Sequence, residues 1–226
     1  MVRNVFLLGH PGSGKSMVAR LIEMFAKENG WSAYYINDYD LLQNMFLQEE
    51  KELIPPKERK FSPTGPPGCN GFDVKDFSVL DTVLRMMAKE VEAWEVENES
   101  EDENKSGTED KLCLIEFARA NYDDALQLFG SELLKDAHLL YVNVGIECCI
   151  ERNHQRTDHF VSDEIMTTYY REDDWSRVIY DLQRNWDNCL IRNSGTLQDL
   201  KQEVEEWVDI HLKREVQKPD SYVTVG

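Results

Sequence analysis

The sequence predicts a three-layer α/β fold, with a five-stranded parallel sheet carrying helices on both faces. Short apolar runs alternate with longer amphipathic stretches along the 226 residues, the pattern of strands joined by crossover helices. The first apolar run, Val5-Phe6-Leu7-Leu8, enters a glycine-rich turn that opens directly into a stretch with helical spacing. No internal repeat interrupts this order.

Taken in order, the strand candidates fall at residues 2–8, 32–37, 111–118, 138–144 and 188–193. Each is short and apolar enough to be buried on both faces. Helical periodicity fills 15–29, 38–50, 74–94, 121–135, 146–153, 163–187 and 196–213, with Gly30 placed to end the first helix. Two segments break the alternation. Residues 51–72 hold five of the seven prolines plus Gly65, Gly68 and Gly71, and read as a long loop over the exit of the second strand. Residues 95–110 carry eight acids and one lysine with little to bury, and read as a disordered spacer. The whole of 1–226 is expected to be one domain.

The net charge is −18, of which the acidic stretch supplies −7 and the rest of the chain −11. Such a balance speaks against a nucleic acid partner, which demands clustered Lys and Arg. No apolar run approaches a membrane span. The first strand begins almost at Met1, so no signal peptide is read there, and five cysteines without paired spacing suit free thiols in a reducing compartment. A cytoplasmic location is expected. Cys148 and Cys149, adjacent in a mostly apolar run, read as buried thiols.

Residues Gly9-His10-Pro11-Gly12-Ser13-Gly14-Lys15-Ser16 match the phosphate-binding pattern GxxxxGK[ST] between strand and helix. Glycines let the backbone curl so that its N–H groups face phosphate oxygens, and the helix start adds positive potential. Lys15 is expected to reach the β- and γ-phosphates and Ser16 to ligate Mg²⁺. His10 occupies a variable position and is expected to point outward.

In parallel sheets of this kind the ligand lies beyond the C-terminal strand ends. Asp38, after the second strand, is placed to face an acceptor hydroxyl, with helix capping as its plainer role and Asp40 as its competitor. Glu116 interrupts a buried run at the end of the third strand, where an acid can support Mg²⁺ or accept a proton. Arg119 follows as a phosphate clamp, or else as a surface partner of Glu116. Arg152 and Arg156, four apart after the fourth strand, share one face if helical and would grip one triphosphate, with Arg171 joining the same surface. The turn Asn193-Ser194-Gly195-Thr196 either packs on a base or caps the last helix. Lys57-Glu58-Arg59-Lys60, in the Pro/Gly loop, is the candidate cradle for an anionic acceptor. His154 and His159 lack a third ligand at metal spacing, which argues against zinc.

With these residues in place, the chain resembles the P-loop kinases of nucleotides and nucleosides, above all the thymidylate kinase and deoxynucleoside kinase branch. The strand–loop–helix at 9–16, Asp38, Glu116 with Arg119, the RxxxR of Arg152 and Arg156, and the ending Leu190–Leu200 carry the likeness. Phe117 and Ala118 separate Glu116 from Arg119, where that branch has acid and arginine adjacent. The resemblance implies strand order 2-3-1-4-5, a lid over 150–172, ATP as donor with Mg²⁺, and a small nucleotide-like acceptor, and it allows a homodimer. It implies Lys15, Glu116, Arg119, Arg152 and Arg156 as catalytic groups, and Gly9, Pro11, Gly12, Ser13 and Gly14 around the donor. A kinase of a non-nucleotide metabolite or a regulatory NTPase stands as the alternative. The DxxG and NKxD motifs of GTPases are absent.

Overall fold

The computed structural model describes residues 2–102, 110–156, 159–181 and 189–212. The central strand β1 (Val2–Leu8) runs into α1 (Lys15–Glu28), and β2 (Trp31–Asn37) into α2 (Asp38–Lys51). A hairpin of β3 (Phe61–Thr64) and β4 (Gly71–Val74) precedes α3 (Ser78–Asp102) and β5 (Asp110–Glu116). Then come α4 (Tyr122–Gln127), α5 (Gly130–Leu134), β6 (His138–Asn143), α6 (Ile146–His154), α7 (Asp163–Thr168) and α8 (Trp175–Asp181). The edge strand β7 (Leu190–Arg192) and α9 (Leu197–His211) close the order. The main sheet is parallel with order β2-β5-β1-β6-β7, which is 2-3-1-4-5 counted over its own strands.

Strand alternation decides which layer each residue joins. Val5 and Leu7, with Leu112, Leu114, Leu140 and Val142, face α1 and α9 and pack on Val18, Ile22, Phe25, Val204 and Trp207. Phe6 and Leu8, with Cys113, Ile115, Leu139 and Tyr141, face the other way onto α3, α4 and α8. There Phe6 meets Phe129 edge-on at 4.9 Å between ring centroids. Burying each such ring contributes roughly 1.5–3 kcal/mol. The central strand is enclosed on both faces, so its register with β5, Leu7 opposite Glu116, is strongly specified.

The structure corrects four expectations. Residues 51–72 are not one loop, because the β3–β4 hairpin begins within them. Phe61 and Phe72 are buried against Phe46, and the Glu49 carboxylate accepts the Lys60 and Phe61 N–H groups. Pro63 sits in a two-stranded ribbon, where a missing donor is tolerated. Residues 95–102 are helical, since α3 continues through them. Trp94 stacks on Tyr34 at 5.3 Å, Glu95 accepts from Asn4 at 2.8 Å, and Lys111 donates to the Asn98 carbonyl. Residues 103–109 lie outside the described residues. The stretch 121–135 is split between α4 and α5 at Gly130, whose φ is +76°. The stretch 163–187 breaks after Thr168 and restarts at Trp175, where the Asp173 carboxylate accepts the Trp175 N–H; residues 182–187 lie outside the description. Gly30, at φ +80°, ends α1 as expected.

Candidate active site

The phosphate loop connects β1 to α1, and its shape depends on glycine at two crowded points. A Cβ on Gly12 would lie 2.4 Å from the Cys149 carbonyl oxygen, and one on Gly14 2.3 Å from Asn193 Nδ2. Both have positive φ, +84° and +95°, so a side chain there meets both strain and collision. The loop is held from outside: the Gly9 N–H donates to the Tyr122 hydroxyl at 2.8 Å, and Asn193 Nδ2 donates to the Ser13 carbonyl at 2.7 Å. Lys15 is buried within it, its Nζ donating to the Gly9 and His10 carbonyls at 3.0 and 3.1 Å. Burial lowers its pKa, opposed by Glu116 and Asp38.

Glu116 ends β5 opposite this loop. Its Oε1 accepts from Ser16 Oγ at 3.1 Å and its Oε2 from the Tyr35 hydroxyl at 2.5 Å. Burial raises its pKa, while the charge of Lys15 and the Tyr35 hydrogen bond pull the other way. One hydroxyl and one carboxylate converging beside a phosphate loop is the sparse donor set that Mg²⁺ takes, with phosphate and water completing its shell. No cluster of three or more His, Cys, Asp or Glu with metal-binding geometry occurs among the described residues.

Asp38 and Arg119 form a buried pair. Arg119 Nη1 donates to Asp38 Oδ2 at 2.6 Å, the guanidinium also donates to the Ala118 and Leu80 carbonyls, and it lies over the Phe117 ring. Arg119 thus meets neither Glu116 nor an open phosphate position; it orients Asp38, which does line the cleft. Asp40 is exposed and accepts from Asn37 Nδ2, while the Asn37 carboxamide caps α2.

The two lid arginines do not share a helix face, because α6 ends at His154 and Arg156 lies beyond it. Arg152 Nη2 donates to the Asn193 carbonyl at 2.8 Å, with Nη1 3.5 Å from that of Ser13, so it braces the loop from behind. Arg156 lines the cleft and donates to the His159 carbonyl at 3.2 Å. Arg171 is exposed and outside the lining. His10 points inward, not outward: it is buried, 3.5 Å from Asp173 and edge-on to Tyr141. Cys149 is buried and Cys148 half-buried. Thr196 takes the capping role, closing a reciprocal box with Asp199.

The basic run 57–60 does not reach the cleft. Arg59 turns to Glu50 and the Ile54 carbonyl, and neither it nor Lys57 or Lys60 lines the cavity. That cavity, about 390 Å³, runs from the loop to the hairpin. Its far wall holds Phe72 and Asp73 of β4 and His159, between α6 and α7, which stacks on Tyr39 at 3.6 Å. The segment after α6 is held down by buried Asn153, which exchanges two hydrogen bonds with Val161, and by Ser162, whose N–H donates to Asp73 Oδ1. Sequence reasoning passed over Tyr35, Tyr122, Asn153 and the hairpin, and read Asn193 as part of a base-packing or capping turn where it holds the Ser13 carbonyl instead. Only Asn193 carried a positional clue, following a strand at the ligand end of the sheet.

No protein-family model matches the chain, and no curated protein matches it. Among solved structures it is similar to a sugar kinase from Janibacter sp. HTCC2649, with TM-score 0.55, 15% identity and coverage of 94% of this chain and 97% of that one. It is also similar to a gluconokinase from Sinorhizobium meliloti 1021, with TM-score 0.52, 14% identity and 92% of both chains covered. The fold is that of the P-loop kinases: a five-stranded parallel sheet with helices on both sides. The thymidylate and deoxynucleoside kinase branch is not singled out by these likenesses.

Proposed function

We propose that this chain is a kinase that uses ATP and Mg²⁺ to phosphorylate a hydroxyl of a small, non-nucleotide metabolite. One observation carries the reading: a complete phosphate loop, with Ser16 and Glu116 3.1 Å apart, opens into a cleft large enough for a small acceptor. Both structural neighbours described above are named for sugar or gluconate phosphorylation, which favours a metabolite over the nucleotide acceptor that the sequence first suggested. A regulatory NTPase gains nothing from an acceptor cavity.

Transfer in such a site is positioning plus electrostatics. Lys15 exchanges its two loop carbonyls for the β- and γ-phosphates, and the loop amides hold the remaining oxygens. Ser16 and Glu116 hold Mg²⁺, which neutralises charge on those phosphates when bound. Tyr35 fixes the Glu116 carboxylate. Asp38, oriented by Arg119, accepts a hydrogen bond from the acceptor hydroxyl and aims it at the γ-phosphorus. Arg156 offsets charge on the transferring group, while Arg152 keeps the loop in shape. Residues 150–172 act as the lid that excludes water. Free thiols at all five cysteines, and no helix among the described residues long and apolar enough to cross a membrane, are compatible with a cytoplasmic site of action.

The test is incubation with Mg·ATP and a pool of sugars, sugar acids, alcohols and nucleosides, followed by mass spectrometry. A phosphorylated acceptor, with ADP formed only in its presence, supports the kinase. ADP and inorganic phosphate formed at the same rate without any acceptor would establish the NTPase instead.

A further inference from the structure

Charge is distributed unevenly along the cavity. Two of its cationic side chains lie at the phosphate end, Lys15 inside the loop and Arg20 one helical turn after Ser16, while Arg156 lies between the two ends, donating to the His159 carbonyl and near enough for its charge to weigh on Lys15. The acceptor end has aromatic and aliphatic walls, supplied by Tyr39, Phe72, Phe77, Leu80, Ile165 and Tyr170. The carboxylates there are Asp38, Asp40 and Asp73. Asp38 is neutralised by Arg119. Asp40 accepts from Asn37, and half-buried Asp73 accepts the Ser162 N–H through Oδ1. His159 lies flat against Tyr39 on the same wall.

A sugar acid or a monophosphate needs a cation or several fixed N–H donors to replace the water it loses. Among the described residues, the acceptor end offers no lysine, and the two arginines nearest to it are held, Arg119 by Asp38 and Arg156 by the His159 carbonyl. The basic run 57–60, the obvious cradle for an anion, faces away. Polyols demand dense hydrogen bonding, and these walls are mostly apolar. Aromatic faces beside carboxylates suit the opposite kind of ligand: a ring body with a positively charged or N–H-donating group.

We infer that the acceptor is a ring-bearing alcohol that carries an amine or another nitrogen donor and no anionic group, with Asp73 receiving the nitrogen. The inference rests on the kinase reading for the role of the hydroxyl, but the binding preference itself needs no nucleotide. Asp38 takes the hydroxyl near the phosphate end, while Asp73 Oδ2 takes the nitrogen at the far wall.

A matched set of probes separates the possibilities. Phenylalaninol has ring, hydroxyl and ammonium; 3-phenyllactate has ring, hydroxyl and carboxylate; gluconate has the carboxylate without the ring. Binding of each to the full chain is measured by calorimetry and saturation-transfer NMR, with and without Mg·ADP. Phenylalaninol is expected to bind at least about tenfold tighter than 3-phenyllactate, with gluconate weaker still, since a hydrogen bond to a charged group is worth roughly a factor of ten or more. Asp73→Asn, which keeps an acceptor for the Ser162 N–H, should erase most of that preference while leaving Mg·ADP binding intact. Equal or tighter binding of 3-phenyllactate or gluconate overturns the inference, as does the failure of phenylalaninol to bind at millimolar concentration. If Mg·ADP alone fails to bind while phenylalaninol binds as expected, the kinase reading falls and the acceptor chemistry stands.

Discussion

At the phosphate end of the cleft, the proposed function assigns most of the chemistry to eight consecutive residues, Gly9 to Ser16. The acceptor end is assembled from β2 and α2, from β4 with the start of α3, and from the segment between Arg156 and Tyr170, three regions far apart in sequence. One end is therefore a local motif on a buried strand, contiguous in sequence and braced by Tyr122, Arg152 and Asn193. The other is a convergence, and its chemistry depends on which groups neutralise one another before any ligand arrives. The buried pair of Asp38 and Arg119 lies where the two meet.

The largest effect is expected at the local end. Lys15→Ala should lower phosphoryl transfer by about 100- to 1000-fold, the range seen when a preorganised charge is removed from a transition state. The circular dichroism spectrum should be unchanged, because Lys15 supports no helix or strand partner. Retention of turnover would show that the loop is not the donor site.

At the junction, Asp38→Ala strands a buried guanidinium and should destabilise the fold by about 3–5 kcal/mol in urea unfolding. Asp38→Asn retains a hydrogen-bond acceptor and should lose less stability, while still lowering turnover. Equal stability for all three proteins would mean that the pair does not join the two ends.

Glu116 gives a pH test. Its carboxyl is raised by burial, so the folded protein holds that proton more tightly than the unfolded chain. Its contribution to stability is therefore fully present below the unfolded carboxyl pKa and is lost as pH rises toward the raised value. Mg·ATP affinity should run the other way, strengthening as Glu116 ionises. Both trends should flatten in Glu116→Gln, and trends that persist in that variant would assign them to another group. Tyr35→Phe, which removes the hydroxyl that fixes Glu116, should weaken Mg²⁺ binding by about tenfold, as loss of a partner to a metal ligand does.

The smallest effect is purely structural. Thr196→Ala removes the capping box of α9 and should lower stability by about 1 kcal/mol, with turnover unchanged. A change in turnover would tie that helix start to the donor site.

This contrast also explains how much the sequence disclosed. The five sheet strands, their order through the resemblance, the loop and the positions of Asp38 and Glu116 were legible because each follows an apolar run or a fixed motif. The hairpin was hidden, since Pro63 and three glycines look like punctuation and only its contact with Phe46 makes it a sheet. The inward turn of His10 comes from Asp173, distant in sequence and invisible from the loop. Arg119 looked like a phosphate clamp because spacing reveals proximity to a strand end, not which carboxylate the guanidinium meets. Arg152 and Arg156 looked like one helical grip because nothing local marks the end of α6 at His154.

The proposed activity requires the main-chain cradle and Lys15 to hold a polyphosphate. Titration of Mg·ATP into the full chain by isothermal calorimetry tests it most directly. A single saturable site on the wild-type protein, lost in Lys15→Ala, is the predicted result. A folded wild-type protein that takes up neither ATP nor GTP with Mg²⁺ would contradict it.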